Sequence, residues 1–250
     1  MLQGVFHAPD LHAELPRILM RWLHIVGGIT WIGLLYFFNL VNVNFQKGLD
    51  ADTKKKVNPA LLGKTLFYFR WGAVVTVLFG LGYYVMYLLK PNVTNAETAS
   101  RVDINGKMLA FVWLMIPIVT FLIEYLIIKM VPALTKDGRV FAIVALILFA
   151  GMTVGILNWL DSGLQHLASN STLSIGVGGA FGIIMLLNVW GIIWPNNKRI
   201  LAGLAGGPPA PPELARQAFV ASRTNAWLSL PMLLFMATSP RGDWVIFGGR

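Results

Sequence analysis

No cysteine occurs anywhere in the 250 residues. That excludes disulfides, thiolate metal sites, iron–sulfur clusters and a CxxCH haem attachment within them. Charge is scarce as well: 12% of the residues are charged, against roughly 25% in an ordinary soluble domain. Acidic residues are the rarer kind, 11 against 20 basic, which leaves a formal charge of +9. The chain offers no Ser–His–Asp arrangement, no HExxH, no P-loop and no internal repeat. The first 17 residues do not read as a cleavable signal peptide, because they contain Asp10, Glu14 and two prolines.

What is present is apolar length. Hydrophobic residues make up 56% of the chain and the mean hydropathy is +0.65. Nearly uncharged runs cover Ile18–Phe45, Leu66–Leu89, Met108–Val131, Val140–Leu160 and Leu173–Trp194. Each meets the roughly 20 residues a helix needs to cross a hydrocarbon core of about 30 Å. Every backbone polar group must be satisfied within a span, so helices are the expected form. A shorter run, Ala226–Thr238, could extend back to Ala218 as a sixth span. The expected fold is all-α: a polytopic transmembrane bundle of about six spans, forming one integral-membrane domain over residues 1–250. Residues 203–223 form a linker on the basic side, with the Pro/Gly stretch GLAGGPPAPP followed by Glu213–Arg223, which could be a short amphipathic helix at the membrane surface. Lys90–Lys107, with Pro91, Asn92, Asn95 and Asn105–Gly106, reads as a loop.

The basic residues sit between the apolar runs, as expected of topology-setting loops beside anionic membrane lipids; nucleic acid is not implied. With six spans, Lys47, Lys54, Lys55, Lys56, Lys64, Arg70, Lys129, Lys136, Arg139, Lys198, Arg199, Arg216 and Arg223 share one side. Arg17, Arg21, Lys90, Arg101, Lys107, Arg241 and Arg250 share the other. This split puts both termini on the outer face, which is periplasmic in a bacterial inner (plasma) membrane.

Polar residues inside spans are costly and mark candidate functional positions. In the first run, His24, Gly28, Trp31, Leu35, Phe38 and Asn42 recur at helical spacing and share one face, with Asn39 and Gln46 close to it. Gly27 and Gly28 clear space one turn from His24, where a flat cofactor or another helix could approach. His166 follows the fourth span on the same side as His24, and two neutral imidazoles from different helices could ligate a haem b axially. His24 and His166 are therefore the candidate metal ligands, with Trp31 and Gly28 beside the cofactor. Asp161 could instead orient a histidine. Glu124, deep in the third run, reads either as a proton-handling carboxylate or as a structural ion pair, with Lys129 or Arg70 as its partner. Gly178 and Gly182, like Gly151 and Gly155, fit close helix contacts rather than a dinucleotide loop. The residues alone reach a polytopic membrane protein that could bind haem.

Four segments carry a resemblance: Trp22–Asn39 (WLHIVGGITWIGLLYFFN), Arg70–Leu81 (RWGAVVTVLFGL), Asn188–Arg199 (NVWGIIWPNNKR) and Ala221–Ala237 (ASRTNAWLSLPMLLFMA). In order and spacing they resemble the membrane domain of the bacterial cytochrome-c-linked urate hydroxylase family, from about Arg21 to Ala237. The resemblance implies oxidation of urate toward 5-hydroxyisourate. In fused relatives the electrons pass to a C-terminal c-type cytochrome outside the membrane. This chain ends at Arg250 without Cys, so a separate c-type cytochrome is the expected partner. The polar positions in and around these blocks, Glu124, Asn39, Asn42 and Arg70, are the candidate catalytic residues. A haem-b electron-transfer or anchor subunit of another complex and a non-redox membrane subunit are the alternatives. Whether the chain forms an oligomer stays open.

Overall fold

The computed structural model describes His12, residues 14–240 and residues 245–247. His7, Arg241 and Arg250 lie outside these. Six long helices follow one another: α1 (Glu14–Lys47), α2 (Ala51–Ser100), α3 (Gly106–Met130), α4 (Gly138–Gly163), α5 (Asn170–Leu204) and α6 (Pro212–Ala237). The first five are long and apolar enough to cross a membrane. The sixth has the length but carries Glu213, Arg216 and Arg223 in its first half. The chain is thus a multi-pass membrane protein.

The connections are short because side chains cap the helices that follow them. Asp50 accepts from the backbone N–H groups of Asp52 and Thr53, both at 2.9 Å, and Asn105 accepts from that of Met108 at 3.0 Å. Asp137 and Ser169 do the same for Arg139 and Thr172. Each bond satisfies a donor that the first turn leaves without an intrahelical partner. These tight connections alternate the helices. The connections 48–50, 131–137 (with the short helix Pro132–Lys136) and 205–211 lie at one end of the bundle, and 101–105 and 164–169 at the other, with Glu14 and Thr238.

The helices outrun their apolar stretches, α2, α5 and α6 by the most. α2 begins at Ala51 and continues through Ser100, so most of the expected loop Lys90–Lys107 is helix; it stops where Arg101 turns left-handed at φ 59°. Pro91 does not break it, because the π-turn Val85–Leu89 precedes the proline. A wider turn takes up the hydrogen bond that the ring cannot donate. Pro195 in α5 is prepared for in the same way by the π-turn Val189–Ile193. A third π-turn, Phe37–Asn42, lies in α1. Glu213–Arg223 is not a separate surface helix but the start of α6. Its Arg216 is drawn to the carbonyls of Thr135 and Lys136, fastening α6 to the opposite loop.

The core gathers around α5. In its most apolar window 67% of the residues are buried, against 22–33% in the other four spans, so α5 is the central helix. Small residues make this possible. A Cβ on Gly178 would lie 3.2 Å from the Met232 carbonyl, and one on Gly191 would lie 2.9 Å from the Phe121 ring. Gly178 and Gly182 thus face α6, as their spacing predicts. Gly151 and Gly155 do not: nothing lies within 4 Å of a Cβ at either, and both face outward from α4.

Candidate functional site

α1 leans on α2 through glycines. A Cβ on Gly27 would come within 2.9 Å of the Thr76 nitrogen, and one on Gly72 within 3.3 Å of the Gly27 carbonyl. Of the two alternatives for this glycine surface, the helix occupies Gly27, while Gly28 borders an open cavity.

That cavity, about 720 Å³, lies between α1, α2, α5 and α6, toward the end opposite the basic loops. Its size falls within the roughly 300–1,000 Å³ usual for cofactor and ligand pockets. The aromatic part of the wall is Trp31, Tyr36, Tyr83, Tyr84 and Trp113, and glycines such as Gly28, Gly80 and Gly179 leave the space unfilled. Two of the aromatics are pinned: Tyr84 donates to the Thr172 carbonyl at 3.1 Å and Trp113 to the Gly176 carbonyl at 2.9 Å. The indole N–H of Trp31 is buried and finds no acceptor among the described residues. Arg21, Ser171 and Ser239 stand at the mouth of the cavity, at that same end opposite the basic loops. Ile25, Ile29 and Leu233 border the cavity yet stay 48%, 70% and 43% exposed, so a slit between α1 and α6 opens it sideways.

His24 projects into this wall in a fixed pose. Its Nδ1 lies 2.7 Å from the Thr76 carbonyl oxygen, while the Thr76 hydroxyl donates to the His24 carbonyl at 2.7 Å. Gly80 makes the room, since a Cβ there would sit 2.5 Å from Nδ1. His24, Gly28 and Trp31 therefore do border one cavity. His166 does not join them. It lies on the exposed turn after α4 at φ 59°, with Nδ1 2.8 Å from the Asp161 carboxylate. The sequence places both histidines on one side of the membrane, but a side is wide, and the turn carries the His166 ring out to the surface. Two imidazoles facing each other across one haem are not formed.

None of the four candidate catalytic residues borders the cavity. Glu124 is 1% exposed, and Asn188 of α5 donates to its two carboxylate oxygens, both at 3.1 Å. Asn188 also reaches Asn225 Oδ1 at 3.0 Å, and Asn225 donates to the Met185 carbonyl. An amide, that of Asn188, and not a cation is thus the partner of Glu124. Lys129 turns to Gln217 at 2.7 Å and to Asn196. Arg70 stacks 3.7 Å above the Trp194 ring. Asn39 donates to Ser222 and to the Leu35 carbonyl, inside a π-turn, and Asn42 accepts from Gln46 near the basic end. Asn188 and Asn225 are the residues that the reading of the sequence passed over. Both are amides within apolar spans, and both lie in the blocks quoted for the resemblance.

Residues 47–240 match the protein family described as urate oxidase N-terminal. The chain belongs to the urate oxidase N-terminal family. The matched segment takes in α2 to α6, with Glu124, Asn188 and Asn225. α1, which supplies His24, Gly28 and Trp31, precedes it. No curated protein and no solved structure matches the chain.

Proposed function

We propose that this protein oxidises urate to 5-hydroxyisourate in a bacterial inner membrane and passes the electrons to a c-type cytochrome on the periplasmic face. The observation that carries this reading is membership of the urate oxidase N-terminal family over residues 47–240. The reaction adds water at one carbon of the purine and releases two protons and two electrons. These 250 residues hold no Cys and so no CxxCH attachment, which leaves the final acceptor to another protein or domain. The cavity supports the reading by its place. It opens at the end opposite the thirteen basic residues, the end that positive-inside logic puts outside. Its mouth offers Arg21 and Ser171 to a polar substrate. Glu124 and Asn188 serve the fold, because a carboxylate sealed among three helices does not touch a substrate in that cavity.

The test is urate loss in membranes from cells that lack other uricases, with and without added oxidised c-type cytochrome. Urate should disappear only when the cytochrome is present, with two cytochromes reduced per urate. No loss in either condition overturns the reading, and sustained loss with oxygen alone overturns the cytochrome as acceptor.

A further inference from the structure

A carbonyl oxygen can only accept a hydrogen bond. The 2.7 Å contact between His24 Nδ1 and the Thr76 carbonyl therefore places the proton of the neutral ring on Nδ1 and leaves a lone pair on Nε2. Nε2 has no hydrogen-bond partner among the described residues. This is the arrangement of a metal-bound histidine, in which a backbone carbonyl holds the other ring nitrogen and fixes orientation and tautomer. A free lone pair at the wall of an apolar cavity is costly unless something binds it.

Four occupants can be compared by chemistry. A bare metal ion needs several protein ligands, and no group of three His, Cys, Asp or Glu residues is assembled among the described residues. A quinone presents carbonyl acceptors, for which the Trp31 N–H would serve as donor, but it has nothing to offer the Nε2 lone pair. A lipid chain has no use for the lone pair. A haem brings four of its own ligands, needs one imidazole and suits a glycine-lined, aromatic cavity. We propose that the cavity between α1, α2, α5 and α6 binds one haem through Nε2 of His24 as its only imidazole ligand. Gly28, Gly179 and Gly182 would leave room for the ring, and Arg21 at the mouth would be the cation for its carboxylates. His166 takes no part. A bound haem also gives the two electrons of a substrate a place to pass one at a time, although the site stands whatever the substrate is.

The experiment reads the haem and not urate turnover, so its failure is separate from a failure of the urate reading. Purified protein in detergent is titrated with haemin and its Soret band recorded. The wild type should take up one haem per chain with a shifted band. His166→Ala should be unchanged, and His24→Ala should lose the band. His24→Gly should regain a wild-type-like band when free imidazole is added, which a variant that merely misfolded would not do. The proposal is overturned if the wild type takes up no haem, if His166→Ala loses the band, or if His24→Gly shows the wild-type spectrum without imidazole.

Discussion

Glu124 and Asn188 hold one another in a place water does not reach, and each depends on the other's chemistry. Asn188→Ala leaves the carboxylate without its two bonds, which should destabilise the protein by about 1–3 kcal/mol in detergent thermal unfolding. Glu124→Gln keeps the volume and should cost less than Glu124→Ala; turnover should persist in it, because the side chain is sealed away from the cavity. At the basic end, the Asp50 carboxyl is held below the usual carboxylate range, first by the Thr53 hydroxyl and then by backbone N–H groups. A pKa lowered in the folded state means that the cap acts in full above the ordinary carboxylate range and fades as pH falls through the lowered value. Protection of the first-turn amides of α2, relative to their intrinsic exchange at each pH, should therefore fall in acid, and Asp50→Asn should remove that dependence. His24, Gly28 and Trp31 were legible from spacing on one helix. The partner of Glu124 was not, because it is set by where α3, α5 and α6 meet rather than by any local pattern.

Helix contacts separate glycines that the sequence treats alike. Gly27→Ala pushes a methyl group into the backbone of α2 and should cost about 1–3 kcal/mol as overpacking. Gly151→Ala and Gly155→Ala meet nothing and should stay within about 1 kcal/mol of the wild type, on the stable side. Parallel thermal melts of the three variants check both statements. The existence of the spans was plain from the apolar runs. Their ends were not, for a physical reason. Outside the hydrocarbon a helix can carry Lys54, Asn92 or Glu97 at no great cost, so polarity marks the membrane boundary and not the helix boundary. Pro91 misled in the same direction, since it is absorbed by a π-turn that leaves no mark in composition.

Six crossings bring the first and last helices to the same end, and the basic loops gather at the other. Reporter fusions at Lys55 and just after Ser239 should therefore report opposite sides of the membrane, and the same side for both would end this topology. This much was readable from run lengths and the placement of Lys and Arg, because insertion responds to those quantities directly. The cavity was not, because it depends on α1 standing off from α6 while it rests on α2. The slit at Ile25, Ile29 and Leu233 has a consequence for how any apolar occupant arrives. Such a molecule reaches the cavity by dissolving in the bilayer first, so its effective concentration is a partition equilibrium and not an aqueous one. Apparent affinity measured from the water phase should then weaken as the lipid-to-protein ratio rises, while the number of molecules bound per chain at saturation stays the same.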